Sequence, residues 1–136
     1  MGLDNGFVAK SDIRKLTRKD LPAIIYYPWD KDFHEDEIEI VYWRKYWGLR
    51  TQIVRTFGYD ENNEYYISFY KPSQVKELIE IIASWMNREK WELEGSSIWT
   101  FDEAFPNLIR TVINLSAFYQ FMQDNPDVYL EFYDSY

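Results

Sequence analysis

The chain has 136 residues, 46% of them apolar and 20% aromatic, which suffices for the core of a single compact domain spanning residues 1–136. It contains no cysteine, which excludes disulfide bonds, thiolate catalysis and cysteine-bound metal sites. The net charge of -8 argues against non-specific binding of nucleic acid, which requires cations that neutralise phosphates.

The first half of the sequence predicts two strands followed by a helix. Residues 3–9 resemble a short strand, and residues 37–42 alternate apolar and acidic side chains as a half-buried strand does. Apolar side chains then recur at helical spacing over residues 43–57, and Gly58 is well placed to end that helix.

The second half predicts a strand, two helices and a last strand. Residues 64–70 are rich in β-branched and aromatic side chains, as in a strand, and residues 73–86 carry the apolar stripe of a helix. Residues 97–100 suggest a short strand before Thr100 and Glu103, which form a capping box for a helix over 106–123. Residues 128–133 read as a final strand. The expected fold is α+β with order ββαβααβ, a mixed, mainly antiparallel sheet and three helices mostly on one face.

Two features bear on location and partners. The sequence shows no signal-peptide pattern and no apolar run of about 18 residues, so we expect a cytoplasmic protein that does not bind membranes. Helix 106–123 is apolar on most sides, which is typical of a central helix or of a contact between the subunits of a homodimer.

Charge is unevenly distributed along the chain. Residues 1–68 hold 10 basic and 12 acidic side chains, whereas residues 69–136 hold 5 and 11 and so carry -6 of the net -8. The acidic second half suits solubility, or docking on a basic surface of another protein.

Several short stretches, read in order, form a recognisable set. They are MGLD (1–4) at the start, YWRK (42–45) at a strand-to-helix junction, EYYIS (64–68) in a later strand, the helix around Gln74, Glu77 and Leu78, and FYDSY (132–136) at the C-terminus. Together they resemble a family of short uncharacterised bacteriophage and prophage proteins. The resemblance implies an origin in a phage, and hence the cytoplasm of its host. It implies no chemistry, because that family has no assigned activity.

Arg50 is the most informative single residue. At 100° per residue it falls within the apolar face of helix 43–57, where an unpaired guanidinium is very costly. It must therefore meet a carboxylate, reach water beyond the aromatic rings, or line a cavity that holds an anion. An ion pair, or a side chain that reaches water past the rings, is favoured over the cavity.

Neighbouring cations and aromatic side chains add to the alternative in which Arg50 lines a cavity that holds an anion. Arg44 and Lys45 lie at the start of the same predicted helix, where cations oppose the helix dipole, which suggests a compensating anion. That anion is a protein carboxylate such as Asp4 or Asp134, or a phosphate held by the helix N-terminus. Solvated or salt-bridged surface positions for Arg44 and Lys45 are the favoured alternative. Two aromatic residues, Trp43 and Tyr66, are suited to stacking on a planar ligand but at these spacings are more often core.

Motifs for catalysis or metal binding are not evident. The single histidine, His34, lies in an acidic stretch without metal-ligand spacing, and no serine has the context of a nucleophile. We therefore expect no metal and no cofactor, and an enzyme is the least favoured class.

The leading hypothesis is a phage-type accessory protein that binds without turnover. In one version, Trp43, Arg44, Lys45, Arg50, Tyr66 and Asp4 form a site that sequesters a small anionic, nucleotide-like ligand. In another, the acidic half blocks a host protein or imitates nucleic acid. A homo-oligomeric structural module remains a further alternative.

Overall fold

The structure is a computed structural model that describes residues 3–26 and 38–135. Within these residues, the fold combines four strands with four α-helices. The strands are β1 (Asp4–Ser11), β2 (Ile38–Arg44), β3 (Tyr66–Phe69) and β4 (Val128–Ser135). The helices are α1 (Trp47–Phe57), α2 (Pro72–Ser84), α3 (Arg88–Glu94) and α4 (Phe101–Asp124), and a short 3-10 helix covers Arg18–Asp20.

The predicted α+β class is confirmed, but the helix count was wrong. The order is ββαβαααβ because α3 forms a separate short helix, which begins where the Asn87 side chain accepts a hydrogen bond from the Lys90 N–H at 2.9 Å. The strand expected over 97–100 does not form. Those residues lead into α4, whose first turn is held by the predicted capping box of Thr100 and Glu103.

The sheet has the order β2-β1-β4-β3. All pairings among the described strands are antiparallel, so the expectation of a mixed sheet was also wrong. Phe7 pairs with Val41 and Val8 with Glu39, which leaves Ile40 as an extra residue on β2. This bulge explains how both Ile40 and Val41 are buried although they are adjacent.

The core lies between the sheet and the helices. Phe7 of β1 and Phe132 of β4 meet at 5.1 Å between ring centroids, and Trp43 packs edge-on against Phe7 at 5.2 Å. Residues of α2 and α4 complete the same apolar cluster, among them Leu78 and Phe118, both fully buried. Burial of these side chains is the main stabilising contribution to the fold.

Polar side chains of α4 cover the outer edge of β2. Asn107, Thr111 and Asn114 recur at helical spacing on one side of the helix. Asn107 donates to the carbonyl oxygen of Tyr42 at 3.1 Å, and Asn114 donates to that of Ile40 at 2.8 Å. These bonds satisfy backbone groups that an edge strand otherwise leaves unpaired.

The opposite edge, on β3, is covered by one loop residue. The Asp60 carboxylate accepts hydrogen bonds from the Ser68 N–H at 2.9 Å and from its hydroxyl at 2.6 Å. The Asp60 N–H donates in turn to the Tyr66 carbonyl oxygen at 2.8 Å. Both edges of the sheet are thus occupied by the protein's own groups, which opposes addition of a strand from another chain.

Helix α4 buries one side against the sheet and α2. Leu108, Leu115 and Phe118 are fully buried on that side, whereas Ile109 and Ile113 on the other are only half-buried. Self-association through this helix stays a prediction. No helix within residues 3–26 and 38–135 is both long enough and apolar enough to cross a bilayer.

Candidate functional site

A groove of about 470 Å³ runs between α1 and α3 and lies within the size range of small-molecule sites. One wall is a stripe of α1 residues that helical spacing places on the same side, namely Trp47, Gly48, Thr51, Gln52, Arg55 and Thr56. The opposite side of α1 carries the buried Leu49 and Ile53. The helix therefore packs on its apolar side and presents a polar stripe with an indole to the groove.

The other wall comes from the end of α2, from α3 and from the residue after its C-cap. Its lining side chains are Trp85, Lys90, Glu94 and Ser96. Trp85 is 3% exposed and forms the floor, where its indole N–H donates to the Gln52 side-chain oxygen at 2.6 Å. This bond joins the two walls at the middle of the groove.

Gly48 allows the two walls to approach each other. A Cβ at this position would lie 2.2 Å from the Glu94 carbonyl oxygen and 2.7 Å from the Trp85 ring. The Gly48 N–H also donates to the carbonyl oxygen of Gly95 at 2.8 Å. Glycine near the start of a helix, usually unfavourable, is required here by backbone contact with the end of α3.

The groove is locally cationic in an acidic protein. Arg55 and Lys90 contribute two positive charges and Glu94 one negative charge. Lys90 lies over the Trp85 ring at 4.6 Å from its centroid, a cation–π contact that fixes the ammonium at the groove. Arg55 is exposed and forms no ion pair with a carboxylate of the described residues.

Arg50 forms an ion pair, which is one of the two alternatives that were favoured over a ligand cavity. Its Nη2 lies 2.6 Å from Asp134 Oδ2, and its Nε lies 2.9 Å from the same oxygen. Asp134 also accepts hydrogen bonds from Asn5 at 2.8 Å and from the Tyr59 hydroxyl. The guanidinium is therefore paired with a buried carboxylate, so a cavity that holds an anion is not needed to explain a charge at this position.

Trp43 belongs to the core. It is fully buried, and its indole N–H donates to the Thr111 hydroxyl of α4 at 3.0 Å. Tyr46 stacks on it at 5.7 Å between ring centroids. The ring thus has protein neighbours and presents no face to solvent.

Arg44 and Lys45 lie before the helix that was expected to contain them. Arg44 ends β2 opposite Asp4 of β1, and Lys45 has φ 62, which breaks the helical backbone. The Lys45 N–H continues the ladder by donating to Leu3 at 2.8 Å, so α1 starts at Trp47 and the predicted start at residue 43 was wrong. Asp4 meanwhile accepts a hydrogen bond from the Tyr42 hydroxyl at 2.6 Å.

Tyr66 pairs with Tyr133 across β3 and β4 and borders a second cavity of about 260 Å³, which is lined by Tyr65, Tyr66, Tyr133, Asp134 and Ser135. The structure thus brings Asp4 close to Arg44, and Tyr66 close to the Arg50–Asp134 pair, but Trp43 joins neither group. His34 lies outside the described residues.

The groove between α1 and α3 could not be read from local motifs, because its side chains come from three helices and a loop. One signal was present in the sequence. Gly48 interrupts an otherwise good helical pattern, and an isolated glycine in a helix often marks a close approach of another segment.

Comparisons of the chain with protein-family models, with curated proteins and with solved structures give no match. The resemblance to phage proteins therefore stays a prediction, and the groove of α1 and α3 is the candidate site that the chain's own residues define.

Proposed function

We propose that this protein binds, without turnover, a small anionic ligand with a planar ring in the groove between α1 and α3. The observation that carries the proposal is the placement of Arg55 and Lys90 in one groove with the half-buried indole of Trp47. Nucleotides combine the two features that such a groove recognises, a ring for stacking and a phosphate for cations.

The chemistry of the lining groups supports this ligand class. An arginine donates to phosphate through a planar fork, and a lysine adds a point charge. The hydroxyls of Thr51, Thr56 and Ser96 offer further hydrogen bonds to phosphate or sugar oxygens. A polar groove with one aromatic wall orients a ligand through few directed contacts.

Binding without turnover fits the same residues better than catalysis. Among the described side chains that line the groove, Glu94 is the one carboxylate and none is a histidine. Acid–base catalysis commonly needs two groups with different proton affinities facing the same substrate. The groove thus offers recognition groups rather than a catalytic pair.

As a phage-type accessory protein, which is what the resemblance of its sequence implies, the protein would sequester a nucleotide signal of the host. Such a role requires affinity and abundance alone. A groove formed by pre-packed helices meets that need, because a rigid site loses little entropy on binding.

Isothermal titration calorimetry with a nucleotide panel tests the proposal. The panel contains adenosine and guanosine monophosphates, ADP-ribose and a cyclic dinucleotide. We expect at least one member to bind, and Arg55→Ala to weaken its binding by about tenfold or more, the scale of a lost charged hydrogen bond.

Lys76→Ala is the matched control, because Lys76 is an exposed cation on α2 that does not line the groove. It should leave the dissociation constant unchanged. Absence of binding by every member at millimolar concentration, or equal weakening by both substitutions, would overturn the proposal.

A second candidate function is docking on a basic protein surface. Of the 11 acidic side chains in residues 69–136, five lie between residues 88 and 103, namely Glu89, Glu92, Glu94, Asp102 and Glu103. Leu93 in the same stretch is 76% exposed. Charge reversal at Glu89 and Glu92 should abolish retention of a host partner, whereas reversal at Glu77 and Glu80 on α2 should not.

A further inference from the structure

We infer that the groove is directional and selects a ribonucleotide, with the phosphate at Arg55 and the sugar hydroxyls at Glu94. This inference rests on the proposed function and names the ligand class of the same site. It follows from the positions of Arg55 on α1 and of Glu94 on α3 along the groove.

The acidic end of the groove lies beside the first turn of α1. Gly48 touches the backbone of Glu94 and Gly95, so the C-terminal end of α3 is packed at that point. Trp47 lies at the same end, one residue earlier. The backbones of Trp47 and Glu94 therefore meet at this end, and both side chains line the groove.

The cationic end lies two helical turns farther along. Arg55 follows Gly48 by seven residues, which corresponds to about 10 Å at a rise of roughly 1.5 Å per residue. Between the two ends, Gln52 meets Trp85, and Lys90 covers the Trp85 ring. The negative charge of Glu94 and the positive charge of Arg55 therefore lie at opposite ends of the groove, with Lys90 between them over the Trp85 ring and one helical turn from Glu94 on α3.

A ligand in such a field has one favourable orientation. Phosphate next to Glu94 would suffer like-charge repulsion, while phosphate next to Arg55 gains charged hydrogen bonds. Glu94 can only accept hydrogen bonds when ionised, so the ligand group beside it must donate. A sugar with two adjacent hydroxyls supplies two donors, the arrangement by which carboxylates recognise ribose in other nucleotide sites.

Glu94 is available for this role. It is exposed, lines the groove, and forms no ion pair with a cation of the described residues. Its backbone is fixed on both sides, because the following Gly95 donates to the Trp91 carbonyl oxygen at 2.9 Å and accepts from Gly48. Packing thus holds the backbone that carries this side chain, and the exposed carboxylate lines the groove.

Calorimetric titrations with adenosine 5′-monophosphate and its 2′-deoxy analogue test the inference. For the unaltered protein we expect the ribonucleotide to bind about tenfold more tightly, since a site that holds a hydroxyl rejects the analogue that lacks it. In Glu94→Ala the ratio should fall to about one, with the ribonucleotide weakened to the level of the deoxynucleotide. Glu89→Ala, an exposed acidic position of the same helix outside the groove, should keep the ratio.

The outcomes separate the two claims. If neither nucleotide binds, and no other member of the panel does, the proposed function fails together with the inference. If both bind equally to the unaltered protein, or if Glu94→Ala strengthens both alike, the groove binds nucleotides but Glu94 acts only through its charge, and the inference alone is overturned.

Discussion

Arg50 of α1 and Asp134 of β4 form a buried ion pair, in which both Nε and Nη2 of Arg50 donate to the carboxylate, and this pair connects the helix carrying the groove to the C-terminal strand. The side chain of Asp134 is 0% exposed and that of Arg50 is 15% exposed. Asn5 of β1 and Tyr59 after α1 donate to the same carboxylate. One buried charge thus connects three segments that are far apart in the sequence.

Replacing Arg50 by methionine should destabilise the fold strongly. The substitution leaves the Asp134 carboxylate buried without its cation, which typically costs about 3–5 kcal/mol, and the remaining donors place the expected loss near the lower end, about 3 kcal/mol. Urea denaturation followed by tryptophan fluorescence measures the loss.

Two comparisons give this prediction its control. Arg88→Met breaks an exposed pair with Asp102 and should cost far less. Arg50→Met introduced into an Asp134→Asn background should cost less than half of its effect in the unaltered chain. Additive effects of the two substitutions would show that the pair is not coupled.

Gly48→Ala should destabilise the fold and disturb the groove together. The added methyl group would meet the Glu94 carbonyl oxygen and the Trp85 ring, so α1 and α3 must separate, at a cost of about 1–3 kcal/mol. The measurement is chemical denaturation together with nucleotide affinity. The control is Thr51→Ala, which removes atoms from the same wall of the groove and should leave the free energy of unfolding unchanged. If both variants are equally stable, the result would argue against the close packing at Gly48.

Asn114→Leu should destabilise the protein although it adds an apolar side chain to the core. Asn114 donates to the carbonyl oxygens of Ile40 at 2.8 Å and Tyr26 at 2.9 Å, and these would lose their partner. A buried unsatisfied carbonyl costs about 1–3 kcal/mol. Thermal and urea denaturation measure the effect, with Ser116→Ala on the exposed side of α4 as a control expected to be neutral. A Leu variant as stable as the parent would contradict the role of this edge contact.

Tyr42 should make stability fall in alkaline solution. Burial, followed by its hydrogen bond to Asp4, raises the pKa of Tyr42 to about 12 from its ordinary 10.0. A pKa raised on folding gives stability that is present below pH 10.0 and is lost as pH rises towards about 12. In Tyr42→Phe the decline of the unfolding free energy across this range should be smaller.

The decline should not vanish in that variant, because burial also raises the pKa of Tyr46 and of Tyr129. An unchanged decline in Tyr42→Phe would contradict the assignment to Tyr42. Absorbance titration of the phenolates provides an independent measurement of the same group.

The sequence predicted what depends on local pattern. The four strands within residues 3–26 and 38–135 and the helix around Leu78 were expected near their observed positions, since alternation and helical spacing are set by neighbouring residues. Either an ion pair or a path to water was expected for Arg50 for a physical reason, the cost of an unpaired charge on an apolar face. Its partner, Asp134, could not be assigned to Arg50, because 84 residues separate the two.

The predictions that were wrong concern features that depend on contacts between distant segments of the chain. Trp43 and Arg44 have helical spacing with the residues after them, yet pairing with β1 keeps them in β2. The helix α3 is short, and its position is fixed by the burial of Trp91 rather than by a long stripe. The groove itself arises from Gly48, whose contact partners lie more than 35 residues away.

The central claim is that the groove between α1 and α3 is where an anionic, planar ligand binds, and nuclear magnetic resonance of the six indole N–H groups tests it most directly. On addition of the panel nucleotides one at a time, we predict that with at least one of them the signals of Trp47 and Trp85 shift in a saturable manner. The signal of Trp43, buried and bonded to Thr111, should stay in place. Saturable shifts confined to other indoles, or none at millimolar nucleotide, would contradict the claim.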